Sequence, residues 1–212
     1  MGASPLGFID GYCERTAPGL LNEPLNAVTN LAFVVAAILL WRLARRENTA
    51  ADRLVSLPIL FVLLTGLGSF AFHTMANRLG AALDVLALST CLLLTVYDGA
   101  RRWLGWSPGL ALLWPGGMIV ASALTGWLVP LPGAVYLGAF VTGMAMAVML
   151  GRGAHPAAPW VAGAAVVFIP SYAMRSLDLP FCQMLPMGTH FGWHLLNAVV
   201  LYLAIRPLAV RT

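Results

Sequence analysis

Seven apolar stretches constrain the fold of this chain more than any other feature. A helix needs about 20 apolar residues to cross a bilayer, and seven such stretches follow one another with short connections. Their approximate ranges are 24–43, 54–74, 79–98, 107–128, 131–150, 157–175 and 188–206. The pattern predicts an all-α membrane protein with seven transmembrane helices in a single domain, 1–212, with an N-terminal segment, 1–23, outside the membrane.

Composition supports lipid as the solvent of this chain. Only 9% of the residues are charged and 60% are hydrophobic, whereas a soluble domain carries about 25% charged residues. All twelve basic residues are arginine, which excludes a retinal pigment because that class needs a lysine Schiff base. The net charge of +4 is not a nucleic-acid footprint, since most arginines lie in short loops, and we expect no nucleic-acid partner. The sequence does not indicate an oligomeric state.

The arginines predict the orientation. If the N-terminus is outside, nine of the twelve lie at inner ends and loops: Arg42, Arg45, Arg46, Arg53, Arg101, Arg102, Arg152, Arg206 and Arg211. The other three, Arg15, Arg78 and Arg175, then lie outside. Because cytoplasmic loops are enriched in basic residues, this partition predicts an outer N-terminus, a cytoplasmic C-terminus and an odd number of helices.

Three histidines fall at one depth on that frame. His190 and His194 are spaced i and i+4 at the start of the seventh stretch, and His73 ends the second stretch on the same side. A helix can offer two imidazoles at this spacing to one zinc ion, and three imidazoles with an open fourth position are typical of catalytic zinc. The alternative is a pair of interfacial histidines hydrogen-bonded to their neighbours.

Two further polar residues share this depth. Ser69 lies one turn before His73, and Asp84 enters from the next stretch. Beside zinc, a carboxylate can accept the proton of the attacking water and pass it to a leaving amine, and a hydroxyl can stabilise an oxyanion. The pattern therefore indicates hydrolysis of an amide or ester in a lipid at the membrane boundary. The alternative for Asp84 is an ion pair with Arg78.

The joint order of these motifs resembles the alkaline ceramidases. The blocks that carry the resemblance are GLGSFAFH at 66–73, Asp84, HFGWH at 190–194, and the N-terminal YCER at 12–15 and EPLNAVTN at 23–30. The two N-terminal blocks are similar to the bacterial branch of that family. The family belongs to a superfamily of seven-helix hydrolases that includes the adiponectin receptors. The resemblance implies zinc on His73, His190 and His194, Ser69 and Asp84 as the polar partners, and hydrolysis of the ceramide amide.

The resemblance also implies a calcium site and a disulfide. Family members bind Ca²⁺ in the N-terminal segment, where the matching positions are Asp10, Tyr12 (through its backbone carbonyl), Glu14 and Glu23. Thr16 stands where the animal enzymes have an asparagine ligand, and the alternative is that the carboxylates pair with Arg15. The family has a cysteine pair that matches Cys13 and Cys182, which implies a disulfide between them.

Several functions remain open from sequence. The leading one is a zinc-dependent lipid amidase that cuts a ceramide-like lipid into a sphingoid base and a fatty acid. The alternatives are a lipid esterase or acylhydrolase, a metal-binding receptor or sensor, and a transporter. Asp84 is the one clearly embedded charge, which argues against a transport path across the membrane. The expected location is a bacterial inner membrane, with the site near the periplasmic side.

Overall fold

Most of the described chain is helical. The structure, a computed structural model, describes residues 4–211. Within that range the helices are α1 (Pro24–Thr29), α2 (Leu31–Arg46), α3 (Arg53–Met75), α4 (Arg78–Arg102), α5 (Pro108–Ala111), α6 (Leu113–Leu128), α7 (Tyr136–Arg152), α8 (Ala158–Ser176) and α9 (His190–Ala209). The helices α1 and α2 are continuous through Asn30, and α5 and α6 through Leu112, because both linking residues keep helical backbone angles.

Five helical segments are long and apolar enough to cross a membrane. They are Pro24–Arg46, Arg53–Met75, Arg78–Arg102, Pro108–Leu128 and His190–Ala209. Of the other two, α7 is apolar but has 17 residues, and α8 has 19. The all-helical fold is thereby confirmed, and the apolar helices are those of an integral membrane protein. Seven crossings and their orientation remain predictions.

The helix predicted at about 131–150 corresponds to α7, which begins at Tyr136. Pro132 lacks a backbone N–H, and Gly133 adopts φ +73°, a left-handed conformation that glycine enters without strain. The chain therefore turns here before the helix can start. The other six predicted stretches overlap observed helices closely.

The helices form a closed ring in which α2, α3, α4, α6, α7, α8 and α9 each pack against the next, and α9 packs against α2. Buried apolar side chains such as Phe33, Leu40 and Leu201 fill the centre. Cys91 belongs to this core and carries a free thiol. On the outside, large apolar side chains such as Leu86 and Val166 are exposed, which suits a surface solvated by lipid.

Glycine permits a close approach between α3 and α4. At Gly68 of α3, an added Cβ would lie 2.8 Å from the backbone oxygen of Leu83 and 3.1 Å from the backbone nitrogen of Asp84 in α4. The two helices are joined by a short turn in which the Asn77 side chain accepts a hydrogen bond from the Gly80 N–H at 2.9 Å. This packing brings Asp84 beside the α3 residue that follows Gly68, which is Ser69.

The N-terminal segment folds back over one end of the ring. We call this the histidine end, because it holds the last turn of α3 and the first turn of α9. A disulfide joins Cys13 to Cys182, with Cα atoms 5.2 Å apart, which confirms that predicted pair. Phe8 bridges to Asn77. The Asp178 carboxylate accepts hydrogen bonds from the N–H groups of Cys13, Thr189 and His190, so it links the segment to the start of α9.

Gly68→Ala tests the α3–α4 packing. The new Cβ would meet backbone rather than a flexible side chain, so the helices must separate, at an expected cost of about 1–3 kcal/mol. Thermal unfolding in detergent should show a lower Tm than wild type. The matched control is Gly116→Ala in α6, where a Cβ meets nothing within 4 Å and the Tm should not fall. An unchanged Tm for Gly68→Ala would contradict the close approach.

Candidate metal centre

Three buried imidazoles converge at the histidine end. His73 comes from the last turn of α3, while His190 and His194 lie one turn apart at the start of α9. One ring nitrogen from each lies within 4.8 Å of the others. The ring centroids are 5.2 Å apart for His73 and His190 and 4.7 Å apart for each of the other two pairs. Each residue is only 1% exposed. This group can hold a metal ion, as the sequence predicted.

Hydrogen bonds orient two of the rings. The Nδ1 atom of His73 lies 2.7 Å from a carboxylate oxygen of Glu23, and since a carboxylate only accepts, Nδ1 carries the proton. The Nδ1 atom of His194 lies 2.9 Å from the Thr29 hydroxyl. That hydroxyl donates its own proton to the Leu25 carbonyl at 2.7 Å, so His194 donates to it. In both rings the proton on Nδ1 leaves a lone pair on Nε2.

The nitrogens that remain have no protein partner. Nε2 of His73, Nε2 of His194 and Nδ1 of His190 are buried and make no hydrogen bond to any residue in 4–211. Buried polar atoms are nearly always satisfied, and a metal-ligating histidine usually bonds a carboxylate, carbonyl or hydroxyl through its other nitrogen. The orphaned nitrogens and their oriented partners therefore fit a metal ion. Neutral imidazole suits zinc as well as copper, iron and nickel.

Glu23 connects the metal centre to the N-terminal segment. One of its carboxylate oxygens pairs with Arg15, and the other accepts hydrogen bonds from His73 and from the Asn26 amide, the latter at 3.1 Å. Burial raises the pKa of this carboxyl above its ordinary value, and Arg15 opposes the rise. Glu23 therefore positions His73 and also balances the buried charge of Arg15.

The predicted calcium residues are used differently. Both Glu14 oxygens accept hydrogen bonds from the backbone of α1, at Leu25 N and Asn26 N, each at 2.8 Å, and Asp10 is exposed. In the part of the chain that the structure describes, the histidine trio is the group of His, Cys, Asp or Glu side chains arranged to share an ion. The calcium prediction is therefore unsupported, whereas the alternative pairing of a carboxylate with Arg15 is present.

Tyr12 contacts the metal centre through its ring. The ring centroid lies 4.1 Å from that of His190 and 5.0 Å from that of His73, so the tyrosine covers the metal centre. Burial raises the pKa of its hydroxyl above the usual value, which keeps it a neutral hydrogen-bond donor. Sequence reasoning missed this role because only the backbone carbonyl of Tyr12 was considered.

Ser69 and Asp84 lie together beside the histidines. Ser69 is buried one turn below His73, and the Asp84 carboxyl faces the Ser69 hydroxyl and the Arg175 guanidinium. The ion pairs found between residues 4 and 211 join Arg15 to Glu23, His73 to Glu23 and Arg102 to Asp52. The alternative partner, Arg78, therefore does not pair with Asp84.

Thr29→Val tests the orientation of His194 while leaving all three histidines in place. Loss of the hydroxyl leaves His194 Nδ1 without its acceptor, and outer hydrogen bonds of this kind are worth about 10- to 100-fold in metal affinity. Competition with a chelating dye should show Zn²⁺ binding weakened by about tenfold or more, with Thr29→Ser restoring it.

The matched control for this substitution is Thr65→Val. Thr65 is also buried and donates a hydrogen bond to the carbonyl one turn earlier, at 2.7 Å. Among the described residues, its hydroxyl makes no hydrogen bond to a histidine ring. Its Zn²⁺ affinity should equal that of wild type. Equal affinity in Thr29→Val would show that His194 is not a ligand oriented in this way.

Comparison with known proteins does not assign a function to the metal centre. No protein-family model matches the chain, and no curated protein matches it. The resemblance to the alkaline ceramidases rests on the motifs at 12–15, 23–30, 66–73 and 190–194 and on Asp84.

Proposed function

We propose that this protein is a zinc-dependent amidase of membrane lipids that cuts the amide of a ceramide-like substrate. The single observation that carries the proposal is the placement of Ser69 and Asp84 beside three metal-competent histidines. A metal that only stabilised the fold would need neither residue. Three protein ligands also leave a position for water or substrate, as in catalytic zinc sites.

Each residue has a chemical task in this proposal. When bound, zinc supplies a water of lowered pKa and polarises the scissile carbonyl. Asp84 accepts the proton of the attacking water and delivers it to the leaving amine. Ser69 donates a hydrogen bond to the oxygen on which negative charge develops. The apolar walls around both groups strengthen these interactions by excluding water.

An apolar cavity next to the site supports a lipid substrate. It is bounded by α4, α6, α7, α8 and α9, and Tyr136 and Trp193 form its wall nearest the histidines. Met118, Met146 and Phe168 also line this cavity. Trp193 directly precedes His194, so an acyl chain in this cavity would place its carbonyl near the metal centre.

The membrane arrangement proposed is seven crossings with the N-terminus outside. The shorter helices α7 and α8 complete the ring together with the five membrane-length segments. The basic last turns of α2, α4, α7 and α9 lie at the end of the ring opposite the histidines. In a bacterial inner membrane this orientation places the site near the periplasmic side, where the Cys13–Cys182 disulfide is also stable.

A metal-binding receptor or sensor is the second candidate. The observation that favours it is the cover that Tyr12 and the N-terminal segment place over the histidines. A lipid esterase would use the same residues as the amidase, so only turnover of esters and amides separates those two.

Asp84→Asn separates an enzyme from a receptor. The amide keeps the size of the side chain but cannot accept the water's proton, so hydrolysis should fall roughly 100- to 10,000-fold while zinc content stays at that of wild type. The assay is turnover of a panel of ceramides, N-acyl amino lipids and lipid esters, with metal analysis of the same preparations.

The matched control for Asp84→Asn is Asp98→Asn, which alters a buried carboxylate near the other end of α4 and should retain turnover. Full activity in Asp84→Asn would reject Asp84 as the base. Retention of both zinc and activity in His73→Ala would reject the three-histidine set.

Reporter fusions test the orientation. With a cytoplasmic C-terminus, green fluorescent protein fused after residue 212 should fluoresce in a bacterial host, and alkaline phosphatase fused there should be inactive. The opposite pair of results would reverse the proposed topology.

A further inference from the structure

The chemistry proposed above does not use the charge of Arg175. The guanidinium of Arg175, at the end of α8, lies 5.1 Å from the ring centroid of Tyr136 and 5.5 Å from that of Trp193. Tyr12 and Asp84 are its other neighbours. Gly133 makes room for it, since a Cβ there would lie 2.5 Å from Nε of Arg175. The Arg175 side chain is therefore packed among residues of the histidine end.

This guanidinium lacks a full set of partners. Its Nε–H is buried and bonds to no group in the described chain, and the ion pairs of residues 4–211 do not include it. Its charge nevertheless acts on His73, His190 and His194. Asp84 offsets this charge only in part, and a metal ion at the histidines would add to the local positive charge. The position favours an anionic ligand.

Arg175 also stands between two openings. It lines a pocket at the histidine end, which we call the Arg175 pocket, together with Tyr12, Phe72, Pro132 and Asp178. The two rings against which it packs, Tyr136 and Trp193, line the apolar cavity.

Asp178 is the other charged residue that lines the Arg175 pocket, and the backbone holds its carboxylate in place. Both of its carboxylate oxygens already accept backbone hydrogen bonds, from Cys13 on one side and from Thr189 and His190 on the other. Arg175 is thus the charged group of the pocket that can recognise a ligand.

We infer that the Arg175 pocket binds the carboxylate headgroup of an N-acyl amino acid, with Arg175 as its partner. The inference rests on the proposed amidase activity and gives the lipid amide that it cuts a carboxylate headgroup, which ceramide lacks. In such a lipid the carboxylate is one carbon from the amide nitrogen, so a cation close to the metal centre can reach it while the acyl chain occupies the apolar cavity. Hydrolysis adds one water, breaks the C–N bond, and gives a fatty acid and a free amino acid.

The test compares two lipids that differ only at this group. N-oleoylglycine carries a carboxylate where N-oleoylethanolamine carries a neutral hydroxymethyl group. Wild type should turn over the glycine conjugate with a kcat/KM higher by about tenfold or more, the value of a charge-assisted hydrogen bond. Arg175→Gln should reduce that ratio to near one, and Arg175→Lys should restore part of it.

The ratio is measured within one preparation, so partial unfolding of a variant does not mimic the effect. The matched control is Arg78→Gln, which removes an exposed arginine at the same end and should leave the ratio as in wild type. Equal turnover of the two lipids by wild type, or an unchanged ratio in Arg175→Gln, would overturn the inference.

Binding measurements separate this inference from the proposed hydrolysis. In the Asp84→Asn background, N-oleoylglycine should bind more tightly than N-oleoylethanolamine, and the added Arg175→Gln change should abolish the difference. That result, obtained with no turnover by wild type, would support the headgroup site and reject the amidase. If Arg175→Gln weakened binding of oleate but left N-oleoylglycine unaffected, the pocket would serve the fatty-acid product and the headgroup assignment would fail.

Discussion

The hydrogen bond from His73 to Glu23 is the interaction on which the rest of the site depends. It fixes the tautomer of His73, so that Nε2 is left with a lone pair. The same carboxylate holds Arg15, whose guanidinium reaches the Ile9 carbonyl at 2.6 Å and lies over the rings of Tyr12 and Phe72. A single buried carboxylate therefore links the metal centre, the start of α1 and the N-terminal segment. Removing it would leave a buried cation uncompensated, which is costly.

The N-terminal segment completes the site as well as the helix bundle. α3 and α9 supply the three imidazoles, but the groups that orient them come from Glu23, immediately before α1, and from Thr29 within it. Tyr12 then covers the rings, and the disulfide at Cys13 holds the segment against the residues that precede α9. Because this cover excludes water, charges beneath it interact more strongly than they would at a surface.

Local patterns made much of this predictable. Helix-forming apolar runs predicted the helices, and the i, i+4 spacing of His190 and His194 on one helix allowed only a common face. The position of His73 at the same end of its helix predicts that it joins this pair. The three rings do converge. Hydropathy alone does not locate the start of α7, because the apolar run continues through Pro132 and Gly133, where the backbone conformation delays the helix until Tyr136. The disulfide came from family resemblance.

Roles that depend on tertiary contacts were not predictable. A carboxylate in a loop can bind an ion, an arginine or a backbone N–H, and nothing local distinguishes Glu14, which caps α1, from Glu23, which orients His73. Arg175 was recognised only as one of three basic residues on the minority side. Its closeness to the histidines depends on α8 packing against α9 and on the space left at Gly133.

The balance of charge at the histidine end connects the metal centre with ligand choice. Glu23 compensates Arg15 by direct contact, and Asp84 lies near enough to offset Arg175 in part. A divalent ion on three neutral imidazoles would then leave the site cationic, which favours hydroxide over water and an anionic lipid over a neutral one. Once Asp84 accepts a proton it no longer offsets Arg175, so the pull on an anion would be strongest while the amide is being cut. A neutral ceramide would gain nothing from that change, whereas a carboxylate beside the scissile bond would be held through it.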